Sequence, residues 1–421
     1  MKNFLTVILF FLVVLEVYLT LQGASYYTKY TNSLLLFTTC LSIAFISFFS
    51  LMNTTSKVVN RRLNLFLIIL FVLGAAVVCY YYSIGFHRFL EPGTASDVLP
   101  QLEALYTRFA KGEQPYYPVE EIGHKPYPVY MPAHWIIIAP SSLFGFDLRW
   151  TGLVMLLITA GCYFTLVKDR AVPFLHSFFT MLLFFFVILS FYFLADGDIF
   201  ITFETPVVAY YLLLFIGLAR RNLIWTTVGL ILCLLSRYTF VFWLPLFALV
   251  ILQERPFKQS VLTWASVGVA VLAFYIAPFI LKDPNILTDG VAYHNKAAVA
   301  DWYGYGEPPV SWSQETGISF GPYLKEIFSG DAEREVYKTR ILQAILMILL
   351  NVLGWILYKR YKTKINYFDV LSIMLFVFMV FFYVFSPLSY RYYWITLFMV
   401  SAALFGIANT RHYKDKSPSG K

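Results

Sequence analysis

The residues able to do chemistry in this chain are few, and each stands at the edge of an apolar run. Asp97 precedes a stretch with apolar residues at Leu99, Leu102, Leu105, Tyr106 and Phe109, the spacing of one helical face. A carboxylate there has two uses. It can accept the free backbone N–H groups of a helix start, as Ser96 also can, or it can take a proton from a hydroxyl as a general base. Arg237 and Arg391 each open an apolar run. They either snorkel to lipid headgroups or bind a phosphate, for which the planar guanidinium is well shaped. His134 heads the run Trp135–Phe146 and either anchors an interface or binds a phosphate or a sugar hydroxyl. Asp196 and Asp198 follow a very apolar run, and Glu204 begins the next one. The aspartates form a solvated turn, bind an acceptor, or hold a divalent ion with Asp97. Two carboxylates two residues apart, with no dense acidic cluster, argue against a required metal, and no cofactor motif is visible.

Between these charges lies an aromatic, proline-stiffened segment. Gly112-Glu113-Gln114-Pro115-Tyr116-Tyr117-Pro118 is followed by Tyr127-Pro128-Val129-Tyr130-Met131-Pro132-Ala133-His134-Trp135. Tyr116, Tyr127 and Tyr130 are candidates for sugar or acceptor binding. As an alternative, the whole segment is an interfacial anchor. Gly112 suits the left-handed position that ends a helix over 97–111, and Pro100 is tolerated in its first turn.

Such residues need elements to hold them, and composition says what kind. Of 421 residues, 59% are hydrophobic and 13% charged; soluble domains carry about 25% charged residues. The chain is too poor in polar residues to coat a water-soluble surface, so a soluble enzyme and a disordered chain are excluded. Long unbroken apolar runs such as Phe174–Leu194 exclude the alternation of a membrane β-barrel. The expectation is an all-α polytopic membrane protein. Cys40, Cys79, Cys162 and Cys233 all fall inside apolar runs, so neither a disulfide framework nor a zinc site is expected.

A bilayer crossing takes about 20 apolar residues. About twelve spans result, near 3–22, 33–52, 63–83, 150–167, 174–195, 201–219, 222–236, 240–253, 261–281, 341–358, 367–386 and 390–408. The first resembles a signal peptide, but it is long and interrupted by Glu16, which favours a retained helix. One set of alternate turns, with the termini, holds 18 Lys and Arg against three acids, whereas 19 of the 24 acids lie on the other side. The positive-inside rule makes the basic side cytoplasmic, with both termini inside and a cell (inner) membrane as the site. The net charge of +8 is therefore mainly a topology signal, and nucleic acid is not expected as a partner. Two long segments, 84–149 and 282–340, then face outward, and long connections are where function concentrates. The organisation is 1–62, two N-terminal helices; 63–281, a core carrying the first outer segment; 282–340, the second; and 341–421, C-terminal helices with a basic tail. The second segment carries Tyr293-His294-Asn295-Lys296 and Trp302-Tyr303-Gly304-Tyr305-Gly306, suited to sugar stacking, a lid or an interfacial anchor.

In order, the first outer segment holds an Asp, an amphipathic helix, Gly-x-x-Pro-Tyr, and Tyr-x-Pro before an apolar helix. It resembles the glycosyltransferase-C superfamily. More narrowly it resembles glycosyltransferase family 87, the polyprenyl-phosphate-mannose-dependent membrane mannosyltransferases. That family usually carries Tyr-x-Tyr-Pro-Pro; here Tyr130-Met131-Pro132-Ala133 replaces the last part. Asp196-Gly197-Asp198-Ile199 resembles the family's Gly-Gln/Asn-Val segment, and Leu234–Tyr238 its helix ending in a basic residue. The resemblance covers about residues 63–255. It implies a glycosyltransferase-C-like fold, a polyprenyl-phosphate sugar donor, a lipid or glycan acceptor, and mannose as the sugar.

The first expectation is thus an integral-membrane inverting glycosyltransferase. Asp97 is its base, and Arg237, with Arg391 or His134, receives the leaving phosphate. A lipid-linked oligosaccharide or polysaccharide transporter (a flippase) is the alternative. It predicts polar residues in mid-membrane and internal symmetry, whereas Glu16 is nearly alone there. A non-catalytic polymer-assembly or membrane-anchoring protein is a third reading.

Overall fold

The computed structural model describes residues 2–23, 27–52, 65–88, 96–120, 122, 125–168, 174–194, 202–304, 311 and 315–410. The described residues are helical, without strands. Eight of their helices are long and apolar enough to cross a membrane, and four more apolar helices are shorter. The chain is a multi-pass membrane protein. Each apolar run of the sequence lies in one of these helices.

The first three long helices are α1 (Lys2–Gln22), α2 (Lys29–Met52) and α3 (Leu65–Arg88). Next comes a short amphipathic helix, α4 (Val98–Ala110), and then the broken helical stretch Pro132–Phe144. There follow α5 (Arg149–Lys168), α6 (Phe174–Leu194), α7 (Thr205–Ala219), α8 (Leu223–Leu234) and α9 (Leu244–Glu254). α10 (Phe257–Val271) continues as a π-helical stretch, Leu272–Ile280, that contains Pro278. The second long segment is mostly helix rather than loop: α11 (Asn285–Tyr303), α12 (Gly321–Phe328) and the start of α13 (Ala332–Tyr361). α14 (Tyr367–Val384) and α15 (Trp394–Thr410) complete the bundle.

α14 and α15 sit at its centre and are buried along most of their length. Peripheral helices expose apolar side chains instead: Leu65, Val72, Leu73 and Tyr80 on α3, and Ile345, Ile348, Leu349 and Ile356 on α13. A soluble bundle would not leave such stripes bare; lipid covers them. Polar groups inside the bundle join helices. The Tyr163 hydroxyl donates to the carbonyls of Thr180 (3.0 Å) and Ala402 (3.3 Å), tying α5, α6 and α15 together. Glu16 is fully buried on α1, within 3.6 Å of the Cys40 thiol on α2.

α7 and α8 form the tightest hairpin. A Cβ at Gly229 would lie 2.6 Å from Leu214 Cα, and one at Gly217 would lie 2.4 Å from Thr226 N. Only glycine permits this approach. Asn222 starts α8 by accepting from the N–H groups of Ile224 (3.0 Å) and Trp225 (3.1 Å). Because the two helices run antiparallel, the start of α7 lies beside the end of α8. That pairing positions the site.

Among the described residues, the basic turns near 220–222, 254–260 and 359–366 gather at the opposite end. Arg220 donates to the Thr165 carbonyl (3.1 Å) and Arg255 to the Tyr367 hydroxyl (2.7 Å).

Candidate functional site

The start of α4 settles the capping question. Ser96 Oγ accepts from the Val98 N–H (3.2 Å), while Asp97, in a helical conformation (φ −82°, ψ −7°), makes no side-chain cap bond. Its Oδ2 instead accepts from Gln101 Nε2 one turn on, at 2.8 Å. Gln101 is buried and Asp97 half-buried, so the carboxylate is held in place without being spent on the backbone.

α4 buries Leu99, Leu102, Leu105 and Tyr106 as its spacing predicts, and Val98 as well, whereas Phe109, the fifth residue of the predicted stripe, stays exposed; Gly112 takes φ +76° after the helix. The same face carries Arg108, which is 6% exposed. Its guanidinium donates to the carbonyls of Pro115 (3.2 Å), Tyr117 (2.7 Å) and Pro118 (3.0 Å). It also stacks 3.5 Å over the Tyr117 ring. Arg108 thereby fixes the proline-rich return. It was not among the sequence candidates, although a lone cation on an otherwise apolar helical face is a visible signal.

Tyr116 and Tyr127 are structural members of this return. The Tyr116 hydroxyl accepts from Trp135 Nε1 (3.2 Å) and donates to the Tyr130 carbonyl (3.1 Å). The Tyr127 hydroxyl donates to the Tyr116 carbonyl (3.2 Å). Both side chains are buried. They brace Tyr130 from behind rather than offering an open face for stacking.

The turn Pro132–Trp135 docks onto the α7–α8 hairpin. Ala133 N donates to the Leu235 carbonyl (2.8 Å), and the Tyr210 hydroxyl donates to the Ala133 carbonyl (2.9 Å). This buries His134 completely, so it does not lie at a surface. Its Nε2 lies 3.0 Å from the Phe203 carbonyl and therefore carries the proton; Nδ1 is enclosed without a partner among the described residues. Burial and the charge of Arg237 hold the imidazole down to about 3, against a weaker upward pull from the Phe203 carbonyl. A neutral ring offering Nδ1 as acceptor suits a hydroxyl better than a phosphate.

Glu204 begins α7 and is 1% exposed; its Oε1 pairs with the Arg237 guanidinium. Glu204 Oε2 has no partner among the described residues. Burial works against the Arg237 charge, but Glu204, Tyr383 and Tyr393 outweigh it and hold the guanidinium above its usual value. Arg237 also stands 5.0 Å from the Tyr393 ring centre.

Tyr130 connects the two halves. Its ring meets the His134 ring edge-on at 5.2 Å. Burial pushes its hydroxyl well up, and the charges of Asp97, Arg237 and Glu204 all reach it, as does Tyr393. Five sequence candidates are thus brought together: Asp97, Tyr130, His134, Glu204 and Arg237. Tyr393 joins them as a residue the sequence did not single out. Arg391 opens the short helical turn Arg391–Tyr393, two residues before Tyr393. Asp196 and Asp198 lie outside the described residues.

A separate cleft of about 450 Å³ lies at the far end of α4, lined by Phe109, Glu113, Gln114, Phe279, Lys282 and Asp283 among others. None of the sequence candidates lines it. Among the described residues there is no group of three or more His, Cys, Asp or Glu that could hold a metal ion. No family model, curated protein or solved structure matches this chain.

Proposed function

We propose that the chain is an inverting glycosyltransferase that moves a hexose, mannose by the family resemblance, from a polyprenyl-phosphate donor to a lipid or glycan acceptor. All twelve apolar helices span the membrane in this reading, in a glycosyltransferase-C-like arrangement. The basic turns face the cytoplasm of a cell (inner) membrane with both termini, and the Asp97 end faces outward.

One observation carries the reading. Asp97 is oriented by Gln101 and not used as a cap. The Tyr130 hydroxyl feels the charge of Asp97 and also that of an enclosed cation, Arg237. In the reaction the acceptor hydroxyl oxygen attacks the anomeric carbon while Asp97 takes its proton. The anomeric carbon–oxygen bond to phosphate breaks, and the polyprenyl phosphate leaves with the bonding pair. The transition state has oxocarbenium character. Arg237 has five N–H donors and does not spend all of them on Glu204. The others, with the Tyr130 and Tyr393 hydroxyls, stabilise the departing phosphate, with Arg391 nearby as a further phosphate ligand. Neutral His134 accepts a sugar hydroxyl through Nδ1, and acceptor binding is assigned to the carboxylates of Asp196, Asp198 and Glu204. A donor whose leaving group stays in the bilayer also explains why so apolar a chain surrounds the site.

The test is donor dependence in proteoliposomes. Label should pass to an acceptor from polyprenyl-phosphate mannose and not from a nucleotide sugar. Movement of intact lipid-linked sugar across the bilayer without transfer would overturn the proposal in favour of transport.

A further inference from the structure

Arg340 stands on α13 immediately before the apolar run 341–358. It is partly buried, and its Nε and Nη2 atoms are enclosed with no hydrogen-bond partner among the described residues. These two nitrogens are the edge of the guanidinium that presents two parallel N–H bonds. That fork fits two oxygens of one phosphate or carboxylate group. Leaving a buried cation so unmatched is costly, and an incoming anion removes the cost.

The neighbouring wall is α11. His294 lies close enough for the Arg340 charge to act on it: burial first, and then Arg340, hold its imidazole down to about 4. The ring is therefore neutral near pH 7 and does not add to the charge. The next residue, Asn295, has its Oδ1 enclosed and unpartnered as well, ready to accept a hydroxyl. The start of an apolar run on a spanning helix lies at headgroup depth. Phosphates are the anions found there, and many headgroups carry hydroxyls beside them. The same α11 packs Gly290 against Tyr127 and Val129, so this place lies at the same end of the bundle as Asp97 but is a separate one.

We propose that Arg340, with His294 beside it and Asn295 next along α11, is a binding site for a phosphate group, and its depth favours the phosphate of a hydroxylated lipid headgroup. The site stands independently of the sugar-transfer reading.

Native mass spectrometry of the purified full chain in detergent tests it, with phosphatidylglycerol, phosphatidylcholine and inorganic phosphate as separate probes. Phosphatidylglycerol should bind with one preferred stoichiometry and more tightly than phosphatidylcholine. Arg340→Met should abolish that binding. Arg340→Lys keeps the charge but loses the fork, and should weaken binding roughly tenfold. Because Arg340→Lys retains a cation, it reads the fork even if Arg340→Met does not fold. Retention of inorganic phosphate alone, lost in the same variants, would assign the site to free phosphate and still support it. Equal binding by wild type and Arg340→Lys, or no retention of any probe by wild type, would overturn it.

Discussion

At the residue scale the Glu204–Arg237 pair is the structural centre of the site. Two opposite charges are enclosed together, and each is tolerated because of the other. Removing one partner leaves a buried, unmatched charge, which costs about 3–5 kcal/mol. Glu204→Gln or Arg237→Met alone should therefore lower the thermal midpoint sharply in detergent. The double variant should recover much of the loss, and a double variant no better than the worse single one would count against a mutual pair. His134 makes a second prediction. Its folded value, about 3, lies below the ordinary 6.5 of the unfolded chain. Between those values the unfolded state binds more protons, so stability is intact above about pH 6.5 and is lost as pH falls toward 3. Replacing His134 by Gln should flatten that acid loss between pH 7 and 4, measured as the change in thermal midpoint. The position of these charges at the edges of apolar runs is readable in the sequence. Their partners are not. Glu204 and Arg237 are 33 positions apart, and only the hairpin topology makes them neighbours. Likewise Ser96 and Asp97 compete equally for the cap on paper, and backbone geometry gives it to Ser96.

Among elements, the α7–α8 hairpin carries the most consequence. Its close approach brings Glu204 to Arg237 and offers the carbonyl at Leu235 that docks Pro132–Trp135. Gly229→Val has no room for its side chain. It should separate the helices, lowering the thermal midpoint by several degrees and reducing any site-dependent activity even though Gly229 touches no candidate residue. An unchanged midpoint would show that the hairpin is not rigid. Apolar length identified the helices, because a buried or lipid-facing helix needs no other signal. The same criterion assigns no helix within 282–340. α11 is too polar to be read as a span and has no strong amphipathic stripe, so its helix is stabilised by packing on α13. There Trp302 is buried, donating to Glu335 (2.6 Å), rather than exposed for a sugar.

For the whole molecule, the described basic turns near 220–222, 254–260 and 359–366 share one end of the bundle, while α4, α11 and the Asp97 group occupy the other. In the proposed reading the charge bias makes the first end cytoplasmic. With cysteines introduced at the exposed positions Glu113 and Lys359, an impermeant maleimide added to right-side-out vesicles should label the first and spare the second. The reverse pattern would place the site inside the cell and remove its access to an outer-face acceptor. The central claim joins that orientation to the chemistry of one carboxylate. It is tested most directly by the rate of mannose transfer from polyprenyl-phosphate mannose in proteoliposomes holding wild type or Asp97→Asn at matched thermal stability. The account predicts that Asp97→Asn, unable to take the acceptor proton, falls by about 10²–10⁴-fold. Transfer at the wild-type rate by Asp97→Asn would contradict it.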